Sequence, residues 1–551
     1  MRKAIQFLSV FLFTALFVLA TYRLPDWLWA DIYLRIDPLL AINALVASRE
    51  IIGRVLASLF LVVATLALGR FFCAYLCPLG ALLDGSDFIL FRKIRRRPLK
   101  GEAEMRRWKV ALLIGIVAAA LVGVNAVYLF DPIALLTRVY TFLLYPLAVA
   151  GINLALDLFR PLFGAAEWTG LAHLHYPQPV YGTAALTLAI FGGLIALGRL
   201  APRFWCRYLC PLGALLGLLS PISIFRRRVS DACNRCMACR DACPMGAIGE
   251  DPSETRTSEC IECRKCARIC PQQAVAFLPS FRGVGEYGSP DISRRGALVS
   301  LAGGLTFGFV SLQSPSTLLA GKRQLLRPPG AIPEGEFQRT CIRCGECMKA
   351  CVTNTLQPCL WEAGLTGLWT PKLEPRMAAC EPNCNVCGKV CPTQAIRALS
   401  LEEKTHAKVG AAVLNKETCL VWAQNRQCLI CDEICPYNAI VFRTIDGARR
   451  PFVIASRCNG CGYCEQRCPV AGESAIVVLT EGEIRLKEGS YIQEAKRLQL
   501  EFRPDPGDDR FEIDRPASDT GGEGGSQKSG EGRGPSDPAE GPVSGKPKGF
   551  L

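Results

Sequence analysis

Four long apolar stretches in the first 220 residues predict membrane-spanning helices. They cover residues 5–20, 51–69, 110–130 and 182–200. Each is long enough, or nearly so, to cross about 30 Å of hydrocarbon as a helix. The first stretch follows Arg2 and Lys3, as a signal peptide would. No small-residue cleavage site comes after it, so we interpret it as an anchor.

A duplicated segment lies at the end of the second and of the fourth apolar stretch. Residues 69–83 read GRFFCAYLCPLGALL, and residues 204–216 read FWCRYLCPLGALL. Two equivalent units present their ends on the same face of the membrane, so an even number of crossings separates them. We therefore predict about four spans arranged as two parallel repeats. The apolar stretch 139–163 is then a re-entrant helix, a surface helix or a returning hairpin, and not a single extra span.

The basic residues predict the orientation of these spans. Nine Lys or Arg and only two acidic residues lie between positions 92 and 109, and residues 226–228 are all Arg. The positive-inside rule then places the N-terminus, this loop and the chain just after residue 200 in the cytoplasm of a bacterial cell, in a multi-pass inner-membrane protein. This topology accounts for much of the net charge of +14. No aromatic residues interleave with a basic stripe, so we expect no nucleic-acid partner.

The cysteines predict iron–sulfur clusters. The chain has 29 of them among 551 residues, and an odd total argues against a closed disulfide framework. After residue 230 they form six groups of four, of which the first two fit the C-x2-C-x2-C-x3-C-P run that binds [4Fe–4S] clusters. Zinc sites use two separated C-x2-C pairs instead. These two groups are Cys233, Cys236, Cys239 and Cys243, and Cys260, Cys263, Cys266 and Cys270.

In two-cluster ferredoxins the fourth cysteine of each run ligates the other cluster. We therefore expect Cys270 to join Cys233, Cys236 and Cys239, and Cys243 to join the group that begins at Cys260. The first cysteine-rich region is then a two-cluster domain.

Four further groups follow, and their spacing is regular, irregular, irregular and regular. They are Cys341, Cys344, Cys347 and Cys351; Cys380, Cys384, Cys387 and Cys391; Cys419, Cys428, Cys431 and Cys435; and Cys458, Cys461, Cys464 and Cys468. The order resembles the four-cluster ferredoxin subunits of molybdenum oxidoreductases. That resemblance implies nested sharing. Cys351 would bind the same cluster as the Cys458 group, and Cys391 would bind the same cluster as the Cys419 group. Sequential sharing is the alternative, and either one gives six clusters in the chain.

Five cysteines lie outside these groups. We interpret Cys359 as a buried structural thiol. Cys73, Cys77, Cys206 and Cys210 form the duplicated C-x3-C-P pair. They hold a seventh cluster, form a redox-active pair of dithiols, or belong only to the structure of the helix ends, and the sequence leaves these three alternatives open.

No substrate-converting site is apparent in the sequence. None of the three His lies in a predicted span, and no C-x-x-C-H, Walker loop, hydrolytic triad or molybdenum pocket is recognisable. The glycine motif at 283–288 is interpreted as a linker. A chain so rich in cluster ligands is expected to move electrons as one component of an oxidoreductase system.

These patterns predict a multi-domain fold that joins a helical transmembrane domain to α+β bacterial-ferredoxin-like [4Fe–4S] domains. The expected parts are a transmembrane domain at 1–225, a two-cluster domain at 226–280, a linker at 281–330, a four-cluster domain at 331–502 and a disordered tail at 503–551.

The linker contains a segment similar to a twin-arginine export signal. Ser293, Arg294 and Arg295 precede a moderately apolar run, although Ala297 stands where Phe is usual. Clusters are normally inserted in the cytoplasm, so a cluster domain destined for the periplasm must cross the membrane already folded. Such a segment would achieve this and would remain as a fifth span. A cytoplasmic linker with an amphipathic helix is the alternative.

On these motifs, residues 1–280 resemble the NapH family of membrane ferredoxin-type quinol dehydrogenase components, and residues 293–480 resemble the NapG and MauM ferredoxin family. The chain therefore resembles a NapH–NapG-type fusion. The resemblance implies that electrons pass from membrane quinol through cytoplasmic-side and then periplasmic clusters to a periplasmic reductase. Val352 after Cys351 and the eight-residue gap after Cys419 depart from the family pattern.

Lipid, the quinol pool and a reductase are the expected partners, and Arg70 and Asp131 are the polar groups nominated for a quinol site. Two other functions remain. One is a factor that matures or reactivates a partner metalloenzyme. The other is a cytoplasm-facing adaptor between ferredoxin and quinone, with all six clusters inside the cell.

Overall fold

The structure is a computed structural model. It describes residues 2–502 apart from 22–23, 26, 93–100, 166–167, 280–291, 314–324 and 446. The predicted tail at 503–551, the glycine motif at 283–288 and part of the basic loop therefore lie outside the described residues.

Residues 2–222 form a helical domain. Within its described part the α-helices are α1 Arg2–Leu19, α2 Ile32–Arg35, α3 Pro38–Ser48, α4 Ser58–Leu68, α5 Phe71–Tyr75, α6 Pro78–Leu90, α7 Glu102–Leu121, α8 Pro132–Val139, α9 Tyr145–Ala165, α10 Thr169–Ala172, α11 Ala184–Ala196, α12 Phe204–Tyr208 and α13 Pro211–Leu219. Four of them, α3, α6, α8 and α13, begin at a proline. Proline favours the first helical position because its φ is preset and its missing N–H would have no partner there.

Three helices of the described chain are long and apolar enough to cross a membrane. They are α1, the continuous helix Pro132–Gly164, and the helix Arg294–Gln313. The stretches predicted at 51–69 and 182–200 form the shorter apolar helices Gly53–Leu68 and Ala184–Arg199. The predicted end of the third span at residue 130 is wrong. Helix α7 ends at Leu121 because Gly123, at a φ of 86°, takes the left-handed conformation that terminates helices.

The apolar stretch 139–163 lies in one continuous helix, in which a short π-helical segment joins α8 to α9. The chain then returns beside that helix. Tyr176 N donates to Asn153 Oδ1 at 3.0 Å, and Gln178 Nε2 donates to Pro146 O at 2.9 Å. The prediction that this stretch is not a single extra span is not borne out, because the helix Pro132–Gly164 is itself long and apolar enough to cross a membrane.

Residues 225–279 form the first cysteine-rich domain. Its elements are β1 Phe225–Val229, α14 Ala238–Asp241, α15 Lys265–Ile269 and β2 Val275–Pro279. β1 and β2 pair antiparallel, with Phe225 opposite Pro279 and Val229 opposite Val275. The two helices pack against each other beside this ribbon, so each cysteine run has one helix and one strand.

Helix α16, Arg294–Gln313, follows. Residues 325–502 then form the second cysteine-rich domain. Its elements are α17 Glu334–Thr340, α18 Glu346–Ala350, β3 Leu356–Pro358, β4 Pro371–Leu373, α19 Val386–Lys389, α20 Leu401–His406, β5 Ala411–Leu414, α21 Leu420–Gln424, α22 Ile430–Glu433, β6 Ile440–Ile445, β7 Ala448–Val453, α23 Tyr463–Arg467, β8 Ile476–Leu479 and α24 Tyr491–Arg497. The strands pair antiparallel as β3–β4, β5–β8 and β6–β7.

The two cysteine-rich domains contact opposite ends of α7. Near its start, Arg106 Nη2 donates to Met245 O of the first domain at 2.9 Å. Just beyond its end, Asn125 Nδ2 donates to Arg339 O of the second domain at 3.3 Å. The helix Gly53–Leu68 also contacts both domains, but its start lies at the second domain and its end at the first. Arg54 at its start donates to Cys391 O at 2.9 Å, and Leu66 O near its end accepts from Ile224 N at 3.2 Å.

Helix α16 packs along α7 in the same direction. Gly304 lies against Gly115 and Ala118, and Gly308 lies against Ala119 and Val122, so that a Cβ added at either glycine would overlap α7. Glycines four residues apart allow two helix backbones to approach closely. The end of α16 reaches the segment 365–367 of the second domain.

Candidate iron–sulfur centres

The cysteine runs of the first domain follow a tightly curled backbone. Arg235 and Met237 have φ values of 55° and 60°, and Glu262 and Arg264 have φ values of 52° and 55°. Residues other than glycine rarely adopt this left-handed conformation, and it concentrates at functional sites. It occurs at equivalent places in both runs, one residue before and one residue after the second cysteine, as expected for loops that wrap around a bound group.

The predicted exchange of the fourth cysteine is confirmed for Cys243. Burial raises the pKa of the Cys260 and Cys266 thiols, and Cys243 lies close enough to both to raise it further. Cys270 packs in the apolar cluster that contains Cys239. We refer to Cys243, Cys260, Cys263 and Cys266 as the inner set, because Cys243 and Cys263 pack against the helical domain.

The inner set lies beside the duplicated cysteines of the helical domain. Cys243 and Cys263 share one apolar cluster with Cys73 and Cys206. Among the outer ligands, Cys236 is exposed. The ligands of the first domain therefore extend from the solvent, at Cys236, to the duplicated cysteines of the helical domain.

The duplicated cysteines converge, and we call Cys73, Cys77, Cys206 and Cys210 the central quartet. Cys77 and Cys210 precede the prolines that start α6 and α13, and each sulfur accepts a backbone N–H, from Gly80 at 3.4 Å and from Gly213 at 3.2 Å. The four thiols are close enough to interact electrostatically. The structure therefore brings both copies of the motif to one place.

Two buried arginines cross between the repeats at the central quartet. Arg203 donates to Cys73 O at 2.8 Å and to Gly80 O at 3.0 Å, so it packs on the motif of the other repeat. Arg70, its equivalent, lies against Gly213, where an added Cβ would be 2.8 Å from Nη2. Their exposed fractions are 1% for Arg70 and 2% for Arg203. The signal for both was present in the sequence, three residues before Cys73 and Cys206, but only Arg70 was nominated.

The nested sharing expected for the second domain is wrong, and the sequential alternative agrees with the structure. Cys351 raises the pKa of the buried thiols of Cys380, Cys384 and Cys387. Cys391 does the same for those of the Cys341 group. The reason is that α18 packs on α19, just as α14 packs on α15 in the first domain. Consecutive runs therefore fold as one unit.

The last two runs form a second unit of the same kind, in which α22 packs on α23. Cys435 raises the pKa of the Cys461 and Cys464 thiols, which burial already raises. Cys468 packs beside Cys419. The four ligand sets of this domain are Cys341, Cys344, Cys347 and Cys391 (set A); Cys351, Cys380, Cys384 and Cys387 (set B); Cys435, Cys458, Cys461 and Cys464 (set C); and Cys419, Cys428, Cys431 and Cys468 (set D).

These sets follow one another away from the helical domain. Cys344 of set A packs in the core of the helical domain. Cys380 N of set B donates to Cys461 O of set C at 2.8 Å, and Tyr437, 1% exposed, is buried beside both cysteines. Set C exchanges its fourth cysteine with set D. The spatial order is therefore A, B, C and D.

The donor chemistry of these sites fits iron–sulfur clusters. Soft thiolates suit iron–sulfur clusters, and hydrogen bonds to their sulfurs tune the potential. Among the described residues, no three His, Cys, Asp or Glu side chains meet closely enough to hold a single metal ion. Backbone N–H groups donate to several of the sulfurs: Ala247 to Cys243 at 3.3 Å, Ile396 to Cys391 at 3.5 Å, Ala412 to Cys458 at 3.4 Å and Ala439 to Cys435 at 3.3 Å.

The remaining cysteine is Cys359, predicted to be structural. It is fully buried, and Arg327 Nη1 lies 3.7 Å from its sulfur. It belongs to none of the sets.

Comparison with known proteins supports iron–sulfur binding by this chain. A 4Fe-4S binding domain family matches residues 51–98 and 183–230, which contain the two halves of the central quartet. Two 4Fe-4S dicluster domain families match residues 226–271 and 426–471. No solved structure matches the chain.

Curated relatives decide the family. The methylamine utilization ferredoxin-type protein MauM of Methylophilus methylotrophus is 40% identical over 164 residues, which are 28% of this chain and 70% of the relative. The ferredoxin-type protein NapG of Escherichia coli is 38% identical over 195 residues, 33% of this chain and 82% of the relative. The chain belongs to the MauM and NapG family of ferredoxin-type proteins. NapF of Escherichia coli is 32% identical over 152 residues, 27% of this chain and 84% of the relative.

As a MauM- and NapG-type ferredoxin, the chain is an iron–sulfur electron-transfer protein with [4Fe–4S] domains. The matched part is about a third of the length of this chain.

Proposed function

We propose that this protein is a membrane-anchored iron–sulfur protein that passes electrons from the quinol pool to a periplasmic reductase. It joins a NapH-type membrane unit to a MauM- and NapG-type ferredoxin in one chain. Bound clusters supply one-electron transfer between neighbouring sites, and the protein supplies their positions and their surroundings.

One observation carries this proposal. The first and second cysteine-rich domains lie at opposite ends of α7, and the central quartet lies between the inner set and the core that contains Cys344. A cytoplasmic adaptor with all its clusters on one side has no need of this arrangement. A chain that conducts electrons across a membrane requires it.

We propose that the central quartet holds a seventh cluster. Four buried thiolates around iron carry net negative charge, which is costly in a low-dielectric interior. Arg70 and Arg203 place a buried guanidinium beside it from each repeat, and each is also paired with a carboxylate, Glu259 at 3.6 Å and Asp84 at 2.8 Å. The backbone N–H groups of Gly80 and Gly213 add hydrogen bonds to two of the sulfurs.

An apolar cavity beside the quartet supports quinol as the donor. It has a volume of about 480 Å³ and lies between α7 and α16, and its walls include Trp108, Phe130, Leu209 and Phe307. Leu209 directly precedes Cys210 of the quartet, and the ring of Phe130 stacks on Trp205, which precedes Cys206, at 6.1 Å. Mostly apolar walls suit a lipid-soluble ring.

The proposed topology has five crossings, and the helix Pro132–Gly164, although long enough to cross, would lie in the membrane without crossing it. α1, Gly53–Leu68, α7 and Ala184–Arg199 would cross as two repeats, and α16 would cross as the remnant of the export signal at Ser293. Its direction along α7 supports this assignment, because its end reaches the second domain. The first domain would then be cytoplasmic and the second domain periplasmic.

Reduction by quinol tests the electron path. The purified full chain, with its clusters, is mixed anaerobically with duroquinol, and EPR follows the reduced clusters of the second domain. We expect reduction in the wild type and in the control Cys359→Ser, and at least a tenfold slower reduction in Cys206→Ser. If quinol reduces nothing, or reduces Cys206→Ser as fast as the wild type, the proposal fails. Rescue of a partner enzyme without turnover would favour the maturation function.

Sidedness is tested separately. Protease is added to intact spheroplasts that carry either the wild type or the Arg294→Lys/Arg295→Lys double variant. Cleavage of residues 330–480 from outside, lost in the variant, is the expected result. Protection in both would leave the cytoplasmic adaptor as the better explanation.

A further inference from the structure

Two buried aspartates each precede a proline that begins a helix. Residues 36–38 read IDP and residues 130–132 read FDP, and these segments begin α3 and α8. Asp37 Oδ1 accepts from Leu39 N at 2.8 Å and from Leu40 N at 3.2 Å. Asp131 Oδ1 accepts from Ile133 N at 3.0 Å and from Ala134 N at 2.8 Å. Each carboxyl group therefore caps its helix with one oxygen.

The second oxygens of these aspartates are buried and have no hydrogen-bond partner in the described chain. Both residues are 0% exposed. The two carboxyl groups lie close enough to interact electrostatically. Two carboxylates have only acceptors, so a hydrogen bond between them requires a proton on one of them.

The surroundings favour one proton over none or two. Two buried negative charges in contact repel strongly, so at least one of the groups is neutral. The N-termini of α3 and α8 both point at the pair and stabilise a single remaining charge. Arg138 is the charged group of the described chain that acts on Asp131, and it donates to Tyr128 O.

The pair lies between the central quartet and set A. Helix α3, which Asp37 caps, packs on α13, which begins directly after Cys210, and on α17, which ends directly before Cys341. Asp131 directly follows Phe130, a wall of the apolar cavity. Helix α3 therefore connects the pair to both cysteine sites by direct packing.

We propose that Asp37 and Asp131 form a proton-binding site, which holds one shared proton and takes up a second when an electron enters the adjacent clusters. This rests on the proposed function, because the electron and the proton both come from quinol. In each one-electron step one O–H bond of the quinol breaks, the electron goes to the iron–sulfur clusters, and the proton forms an O–H bond on the remaining carboxylate. The pair then becomes neutral, and it returns the proton to water when the electron moves on.

Infrared difference spectroscopy of the full chain tests the shared proton. Asp37→Asn and Asp131→Asn each keep an oxygen for capping and an amide that can donate to the other aspartate, so both variants are expected to fold. We expect a carboxylic-acid C=O band that shifts in D2O in the wild type and in the control Asp157→Asn. Loss of this band in both Asn variants is the expected result. Its absence from the wild type, or its persistence in both Asn variants, would overturn the site.

Redox titration tests the coupling. The midpoint potential of the wild type is expected to fall as pH rises, and this dependence is expected to disappear in both Asn variants but to remain in Asp157→Asn. An unchanged dependence in the variants would overturn the coupling. Dithionite and chemical mediators replace quinol in this titration. A protein that quinol does not reduce, but whose potential shows this pH dependence, would contradict quinol as the donor and still support the proton-binding site.

Discussion

Lys109 on α7 binds both carboxylate oxygens of Glu259 in the first cysteine-rich domain, at 2.6 and 2.5 Å. Both residues are buried. Arg70 and Arg106 each lie 3.6 Å from the same carboxylate. Three cations of the helical domain thus surround one anion of the first domain, next to Cys260. Removing one member of a buried charge group is costly because its partners stay buried without compensation.

Glu259→Gln is therefore expected to loosen the contact between these domains. It removes the carboxylate that pairs with Lys109 and Arg70, while Arg106 keeps its pair with Glu102, and we expect a loss on the order of 3 kcal/mol of stability. The rate of limited proteolysis within residues 225–279 of the solubilised protein measures the effect. Glu250→Gln, at an exposed carboxylate of the same domain, is the control and should match the wild type. Equal rates for all three proteins would contradict the prediction.

Helix α16 packs closely on α7 at Gly304. Gly304→Leu places a side chain where even a Cβ overlaps Gly115, whereas a Cβ at the neighbouring Gly303 meets nothing within 4 Å. We expect Gly304→Leu to destabilise the helical domain by about 1–3 kcal/mol, the usual range for overpacking. Gly303→Leu should have little effect. Thermal denaturation of the protein in detergent compares them, and similar midpoints for the two variants would argue against this packing.

The cysteine spacing was enough to predict that Cys243 lies near Cys260 and Cys266, because that feature depends on a few residues along one loop. It was not enough for Cys351. Which cluster a fourth cysteine reaches depends on which helices pack together, and the irregular spacers before Cys384 and Cys428 carry no information about that. The proximity of Asp37 to Asp131 was equally hidden, because residues so far apart in the sequence come together only in the fold. The end of α7 was missed because the apolar pattern continues past Gly123.

Sequential sharing gives a direct spectroscopic prediction. Cys351→Ser and Cys384→Ser should alter the same EPR signal, since both residues belong to set B. Cys461→Ser should alter a different one. Nested sharing would give the opposite result, with Cys351→Ser matching Cys461→Ser. Cys359→Ser controls for the loss of a buried thiol that binds no cluster and should leave all the signals unchanged.

A buried ion pair at the entry to the second domain predicts how its stability depends on pH. Arg327 is 2% exposed, and its Nε donates to Glu334 at 2.9 Å. Arg485 Nη1 also binds this carboxylate, at 2.7 Å. Burial alone would raise the pKa of Glu334, but Arg327 and the other donors outweigh it and lower the pKa to about 2. The folded carboxyl group thus binds its proton more weakly than the unfolded one, so its contribution is complete above the ordinary range of Glu and is lost as pH falls through that range towards the folded value.

Glu334→Gln is accordingly expected to lower the stability of the second domain by about 1–2 kcal/mol at neutral pH, after allowance for the partial exposure of this side chain. Between about pH 5 and pH 8 the difference from the wild type should stay constant, because the carboxylate remains ionised throughout. Thermal loss of cluster absorbance at several pH values measures it. Glu494→Gln removes a surface ion pair with Arg497 and should give no measurable change. A stability difference that shrinks between neutral pH and about pH 5 would mean that Glu334 already takes up its proton in that range. That result would contradict the lowering of its pKa by Arg327.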